Sequence, residues 1–132
     1  MYRVYDKKKR KFIREEFYIS PDGDLYIYKA NLFGYRKLSL TPESRYVAQN
    51  GVGVTDINGV NIFEGDIIKS VSGIVGLVTY VKEKLSYVLL DYKEEKYYPL
   101  GEWICNQVKV IGNVFENLEL LNGEETETDG EN

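Results

Sequence analysis

Apolar and polar positions alternate along much of this chain with a period of two, the spacing of a strand that buries one face. Tyr2–Tyr5 alternates weakly and reads as a strand, and after a charged break Phe12-Ile13 resumes it. Glu16–Ser20 and Leu25–Lys29 flank Ser20-Pro21-Asp22-Gly23, where Pro in second place and Gly in fourth suit a type I turn. The pair predicts a hairpin with Leu25 and Ile27 on one face, Tyr26 and Tyr28 on the other. Asn31–Arg45, with Pro42 and several polar residues, reads as loop with at most a short strand. Ile67–Val71 leads through Ser72-Gly73 into Ile74–Val81, which is apolar on both faces and predicts a central or barrel strand. Gly76 within it marks a bend or a close backbone approach. Tyr87–Tyr92, Tyr97-Tyr98 and Val108–Val114 supply the later strands, with turns at Lys82–Lys84 and Lys93–Lys96 and another near Trp103-Ile104. Asn117 reads as the N-cap of a short helix over Leu118–Leu121, with Glu119 placed for the helix dipole.

The densest turn chemistry lies between Val52 and Lys69. Asn58-Gly59 predicts a two-residue type I′ hairpin loop, because both residues accept positive φ. Asp56 can fold its carboxylate onto nearby N–H groups as an Asx-turn. Gly65, between Glu64 and Asp66, supplies a second left-handed or bulged position before Ile67-Ile68. Each polar residue of the stretch thus has a turn role, and the spacing does not fit a calcium loop, which places its Gly sixth.

Two segments resemble the YopX family of phage and prophage proteins. The first family segment has the form T-G-L-x-D-x-N-G-x-x-I-Y/F-E-G-D-I-I/V-K. Here it stands as Val52-Gly53-Val54-Thr55-Asp56-Ile57-Asn58-Gly59, then Ile62-Phe63-Glu64-Gly65-Asp66-Ile67-Ile68-Lys69. The second, Val110-Ile111-Gly112-Asn113-Val114-Phe115-Glu116-Asn117-Leu118-Glu119-Leu120-Leu121, is similar to the family's closing segment. Tyr2–Lys7 is similar to a weaker family opening. Val52 replaces the usual Thr, and Leu118 the usual Pro. The resemblance implies a small, mainly β fold, a bent sheet or pseudobarrel, and brings no established activity. It marks Gly53, Asp56, Asn58, Gly59, Glu64, Gly65, Asp66, Gly112, Asn113, Glu116 and Asn117 as motif positions, read here as structural.

Composition agrees with such a fold. The chain has 132 residues, enough for one domain with a real core, expected over residues 1–121. Twelve Tyr and only three Pro favour strands. The single Cys105 allows no internal disulfide and reads as a small buried hydrophobe. With no His, neither a Ser–His nor a Cys–His pair forms from one chain, and a His/Cys zinc site is excluded. Paired carboxylates such as Asp22 and Asp24 flank turns, and Gly51-Val52-Gly53 lacks the third Gly and the helix of a phosphate loop. No catalytic residue, cofactor or metal is expected. No stretch approaches the ~20 apolar residues of a helical membrane span, and no apolar leader opens the chain. The expected location is the cytoplasm of a bacterial host.

Charge is unevenly spread. Residues 1–14 hold Arg3, Lys7, Lys8, Lys9, Arg10, Lys11 and Arg14 against Asp6, whereas Glu124, Glu125, Glu127, Asp129 and Glu131 crowd the end. The net charge of −4 is largely a property of that end, and residues 122–132 are expected to form an acidic, disordered tail. Lys7–Lys11 beside Tyr2, Tyr5 and Phe12 suits a sequence-tolerant single-strand binder, and equally suits a solvated hairpin tip. The leading expectation is a non-catalytic protein-interaction module with outward-facing Tyr. Its partner would be an unknown host or phage protein, or a second copy. The alternative is nucleic-acid binding through Lys7, Lys8, Lys9, Arg10 and Lys11.

Overall fold

A computed structural model describes residues 1–30, 33–34, 36–41, 44–101 and 107–122. The acidic tail beyond Asn122, together with Trp103, Ile104 and Cys105, lies outside the described residues. The fold is mainly β, with a curled half-barrel sheet and, among the described residues, no long helix. Residues group into two compact units, Tyr2–Gln49 and Met1 with Asn50–Asn132.

The N-terminal unit holds β1 (Tyr2–Asp6), β2 (Lys11–Phe12), β3 (Phe17–Ile19), β4 (Leu25–Ala30), β5 (Arg36–Leu40) and the start of β6 (Tyr46–Thr55). β1 lies between β2 and β6, and β3, β4 and β5 make a separate antiparallel sheet. Val4, Ile27 and Tyr46 are its buried centre, with Ile13, Phe17 and Leu25 against them. β5 is the strand inside the segment read mostly as loop. Its Tyr26↔Leu40 and Tyr28↔Leu38 pairings with β4 hold it in place.

The C-terminal unit takes up the end of β6, then β7 (Asn61–Phe63), β8 (Asp66–Ser70), β9 (Val75–Val81), β10 (Ser86–Asp91), β11 (Lys96–Pro99) and β12 (Val108–Asn113). Five strands run in the order β11-β10-β9-β8-β12, so β8 to β11 are a meander and β12 closes onto β8. Ile62, Ile68, Val78, Leu89 and Val108 form the dry centre. Each such side chain contributes on the order of 1.5–3 kcal/mol through burial. β9 is interior to the sheet, as its double-faced apolar pattern requires, although Tyr80 near its end is exposed and meets Tyr87 edge-on at 5.1 Å. A Cβ on Gly76 would stand 2.5 Å from the Leu90 carbonyl oxygen, so this glycine marks a close approach between strands.

Three hairpin loops repeat one device. The N–H groups of Gly23, Gly59 and Gly73 donate to the carbonyls of Ser20, Asp56 and Ser70 at 2.9, 3.0 and 2.9 Å. Ser20, Asp56 and Ser70 in turn donate to the carbonyls of Asp24, Val60 and Ile74. Each glycine has φ between +80° and +96°. These are three-residue loops, a type I turn closed by a left-handed Gly. The type I′ loop expected at Asn58-Gly59 is therefore corrected, since Asn58 is not among the residues with positive φ. The side-chain oxygen of the residue just before each loop explains the wider form. Ser20 Oγ, Asp56 Oδ1 and Ser70 Oγ accept the N–H four residues on, a bond that closes a three-residue loop.

Candidate functional site

The motif carboxylate Asp56 is buried, and its oxygens accept from backbone N–H groups. Its Oδ1 accepts the N–H groups of Asn58 at 2.8 Å and Val60 at 2.9 Å, and its Oδ2 accepts that of Val110 at 2.9 Å. The pairing of β12 with β8 slips between Val110 and Gly112, a bulge at Ile111. On the other side of β12, Ile57 N–H donates to the Val108 carbonyl. The 56–57 corner thus satisfies the outer edge of β12, which would otherwise offer open pairing groups. Burial pushes the Asp56 carboxyl up, but the donors Val110, Val60 and Asn58 outweigh it and hold it below the usual carboxylate range. A general acid needs the opposite shift, and a carboxylate committed to three N–H donors is a poor base.

The other motif residues also serve the backbone. Gly53 takes φ +95° within a slip of the β6–β7 pairing, where Val52 and Val54 both pack on the core. Gly65 takes φ +93°, donates to the Val78 carbonyl and accepts from Val114 N–H. Asp66 is buried and its Oδ2 accepts the N–H of Phe63. Glu64 is half-buried, and its N–H donates to the Asn50 carbonyl.

The closing motif is a second self-contained corner. Asn113 Oδ1 accepts from Phe115 and Glu116 N–H, and its Nδ2 donates to Glu116 Oε1 at 2.9 Å. Asn117 precedes a 3₁₀ helix, Leu118–Asn122, and its carbonyl accepts from Leu120 N–H. Its side chain corrects the N-cap expectation. Asn117 Oδ1 turns back to accept Asn113 N–H at 3.2 Å. The reason is the short reach across the corner: a Cβ on Gly112 would stand 2.6 Å from that oxygen. Glycine at 112 is what lets Asn117 fold inward.

The basic run occupies the loop between β1 and β2. Lys7 to Arg10 are exposed, and Arg10 stands at φ 57°. Beneath them Asp6 is buried. Its Oδ1 accepts the N–H groups of Lys8 and Lys9, and Arg45 grips both of its oxygens at 2.9 Å. The Arg45 guanidinium holds the Asp6 carboxyl far below the usual range against the burial that would raise it, and Asp6 raises Arg45 in return. Sequence reading did not identify this pair, and a separation of 39 residues gives no local signal for it. Of the three aromatic residues near the run, Tyr5 is buried and meets Phe12 edge-on at 5.0 Å. Arg3 lies over the Phe12 ring at 4.4 Å, and only Tyr2 is exposed.

A different face collects exposed apolar groups. On the β3-β4-β5 sheet, Tyr18 pairs with Tyr26, Tyr26 with Leu40 and Tyr28 with Leu38, so these five side chains share one face. Tyr18 is 48%, Leu38 38% and Leu40 61% exposed. Neighbouring Ile27 points to the other face and is buried. Among the described residues, no three His, Cys, Asp or Glu side chains gather as a metal site would need. No described helix is long and apolar enough to cross a membrane.

A family model described as YopX protein matches residues 1–122. Among solved structures, the chain is similar to the yopX protein of Bacillus subtilis, at 20% identity and a TM-score of 0.63, covering 90% of this chain and 95% of that one. It is also similar to protein EF1440 of Enterococcus faecalis, at 20% identity and a TM-score of 0.57, covering 91% of this chain and 96% of that one. At these identities the likeness concerns the fold. No curated protein matches the chain.

Proposed function

The chain belongs to the YopX family, and from that premise we propose that it is a non-catalytic protein-interaction module. It serves as an accessory protein of a phage or prophage in the cytoplasm of the bacterial host. The supporting observation is the face formed by Tyr18, Tyr26, Tyr28, Leu38 and Leu40. A contiguous exposed apolar face on a small sheet is unusual for a surface with no partner, and Tyr gives contact area at low entropy cost. The occupant is the apolar surface of another protein, which buries the two exposed leucines. The motif carboxylate Asp56 supports the non-catalytic part, because it is committed to three backbone donors.

The test compares a tagged parent chain with a Tyr18→Ser/Leu40→Asp variant, both recovered from phage-infected cells. The parent should retain a specific protein that the variant loses, with both chains melting at similar temperature. Equal recovery by the two overturns the assignment of this face. Sedimentation of the purified chain identifies the partner as a second copy if the parent is dimeric and the variant monomeric.

The exposed loop Lys7–Arg10 favours a second reading, nucleic-acid binding through Lys7, Lys8, Lys9, Arg10 and Lys11. The segment Tyr2–Gln49 carries eleven basic and six acidic side chains, a net charge of +5. Tyr5 and Phe12 are already engaged within the unit, so the contact would be with phosphates rather than by stacking. A chain ended at Leu121 should then bind single-stranded nucleic acid more tightly than the full chain, through loss of five acids, with the gain fading as salt rises. Equal or undetectable binding by both chains at low salt removes this reading.

A further inference from the structure

The C-terminal unit carries a second surface, of different chemistry, that does not depend on the Tyr and Leu face. Ile57, Lys69, Val71, Lys109, Ile111 and Leu120 line an open groove of about 520 Å³, the size of a side-chain or small-ligand pocket. We propose that this groove receives an acidic segment of a partner protein that also carries a bulky apolar side chain.

Two features point to that occupant. The first is the apolar lining: Ile57 is 55% and Val71 71% exposed, and Ile111 and Leu120 join them. The second is the charge pattern. Lys69 and Lys109 are direct partners across β8 and β12, and both are exposed at the groove. Like charges placed opposite each other weaken a sheet pair. The nearby carboxylate of Asp56 feels Lys109 but is already committed to Asn58, Val60 and Val110 N–H. A carboxylate arriving between the two lysines turns their repulsion into charge-assisted contacts, while an adjacent apolar side chain covers Val71 and Ile57. The chain's own last ten residues hold five acids and no apolar side chain, so they match the lysines but not the apolar lining.

The test measures fluorescence anisotropy of a labelled short peptide of alternating Glu and Leu against the full chain. Binding should fall about tenfold in the Lys69→Gln/Lys109→Gln variant, and by a similar factor in Val71→Ser or when Ser replaces Leu in the peptide. A peptide of alternating Lys and Leu should not bind. Lys69→Gln should melt no lower than the parent, since it removes a like-charge opposition. Undiminished binding by the folded double variant or by Val71→Ser overturns the proposal, as does equal binding of the Leu-free peptide. If ending the chain at Asn122 raises the Leu-free peptide to the affinity of the Leu peptide, the groove is the seat of the chain's own tail and the proposal fails.

Discussion

Two loops of this protein have nearly the same backbone and different surroundings. Asp6 pairs with Lys11 at the ends of β1 and β2, and Asp91 pairs with Lys96 at the ends of β10 and β11. In each, Oδ1 of the aspartate accepts the N–H groups two and three residues on. In each, the residue before the closing lysine is left-handed, Arg10 at φ 57° and Glu95 at φ 54°. The residues between differ: Lys7, Lys8, Lys9 and Arg10 in one loop, Tyr92, Lys93, Glu94 and Glu95 in the other. The buried aspartate and a left-handed fourth residue therefore make the loop, and basic charge is not needed for it. The second lesson is Arg45. Asp6 has this bidentate cation in addition to its backbone donors, which makes the first loop the more strongly anchored one.

The largest effect should separate the two aspartates. Asp6→Ala should cost about 3 kcal/mol, because it leaves Arg45 without the carboxylate it grips, whereas Asp91→Ala should cost about 1 kcal/mol from lost backbone acceptors. Equal losses in urea unfolding would break the comparison. Acid comes next. The Asp6 carboxyl is lowered in the folded chain, so its contribution is present above the ordinary carboxylate pKa and is lost as pH falls from about 4 toward the folded value. The parent should lose stability across that window more steeply than Asp6→Asn, and parallel curves would argue against the Arg45 anchor. Exchanging Lys7-Lys8-Lys9-Arg10 for Tyr-Lys-Glu-Glu should shift stability by about 0.5 kcal/mol or less, as for other exposed changes. A larger loss would show that the basic side chains serve the loop itself. The smallest effect is Arg10→Gly or Glu95→Gly, each raising stability by a few tenths of a kcal/mol through relief of the left-handed backbone. A loss at one site alone would show that the two loops are not equivalent.

Much of this was legible in the sequence because local chemistry dictates it. Period-two alternation located most strands, and Ser20, Asp56 and Gly65 act in the turns their residue types suit. What was missed depends on partners distant in the chain or on a choice between similar local forms. Asn58-Gly59 fits a type I′ loop by composition. Asp56 Oδ1 bonding Val60 N–H settles the wider form, for which Ser or Asp three residues before Gly is the better sign. Asn117 has the composition of a cap, but Gly112 leaves a space that draws its side chain backward. β5 carries only Leu38 and Leu40 as a period-two signal, too short to stand out, and is held as a strand by its pairing with β4. The Asp6–Arg45 pair, the Tyr and Leu face and the Lys69–Lys109 opposition all need strand register, which the sequence does not print.

The central claim is that the buried Asp56 carboxylate holds the backbone around it, and its own bonds test it most directly. Amide hydrogen exchange of the parent and of Asp56→Ala, followed residue by residue, reads its bonds one at a time. Asn58, Val60 and Val110 amides should be protected in the parent and should lose protection selectively in Asp56→Ala, while Ile68 and Val78 in the core stay protected relative to global stability. Undiminished protection of the Val110 amide in a folded Asp56→Ala chain would contradict the account.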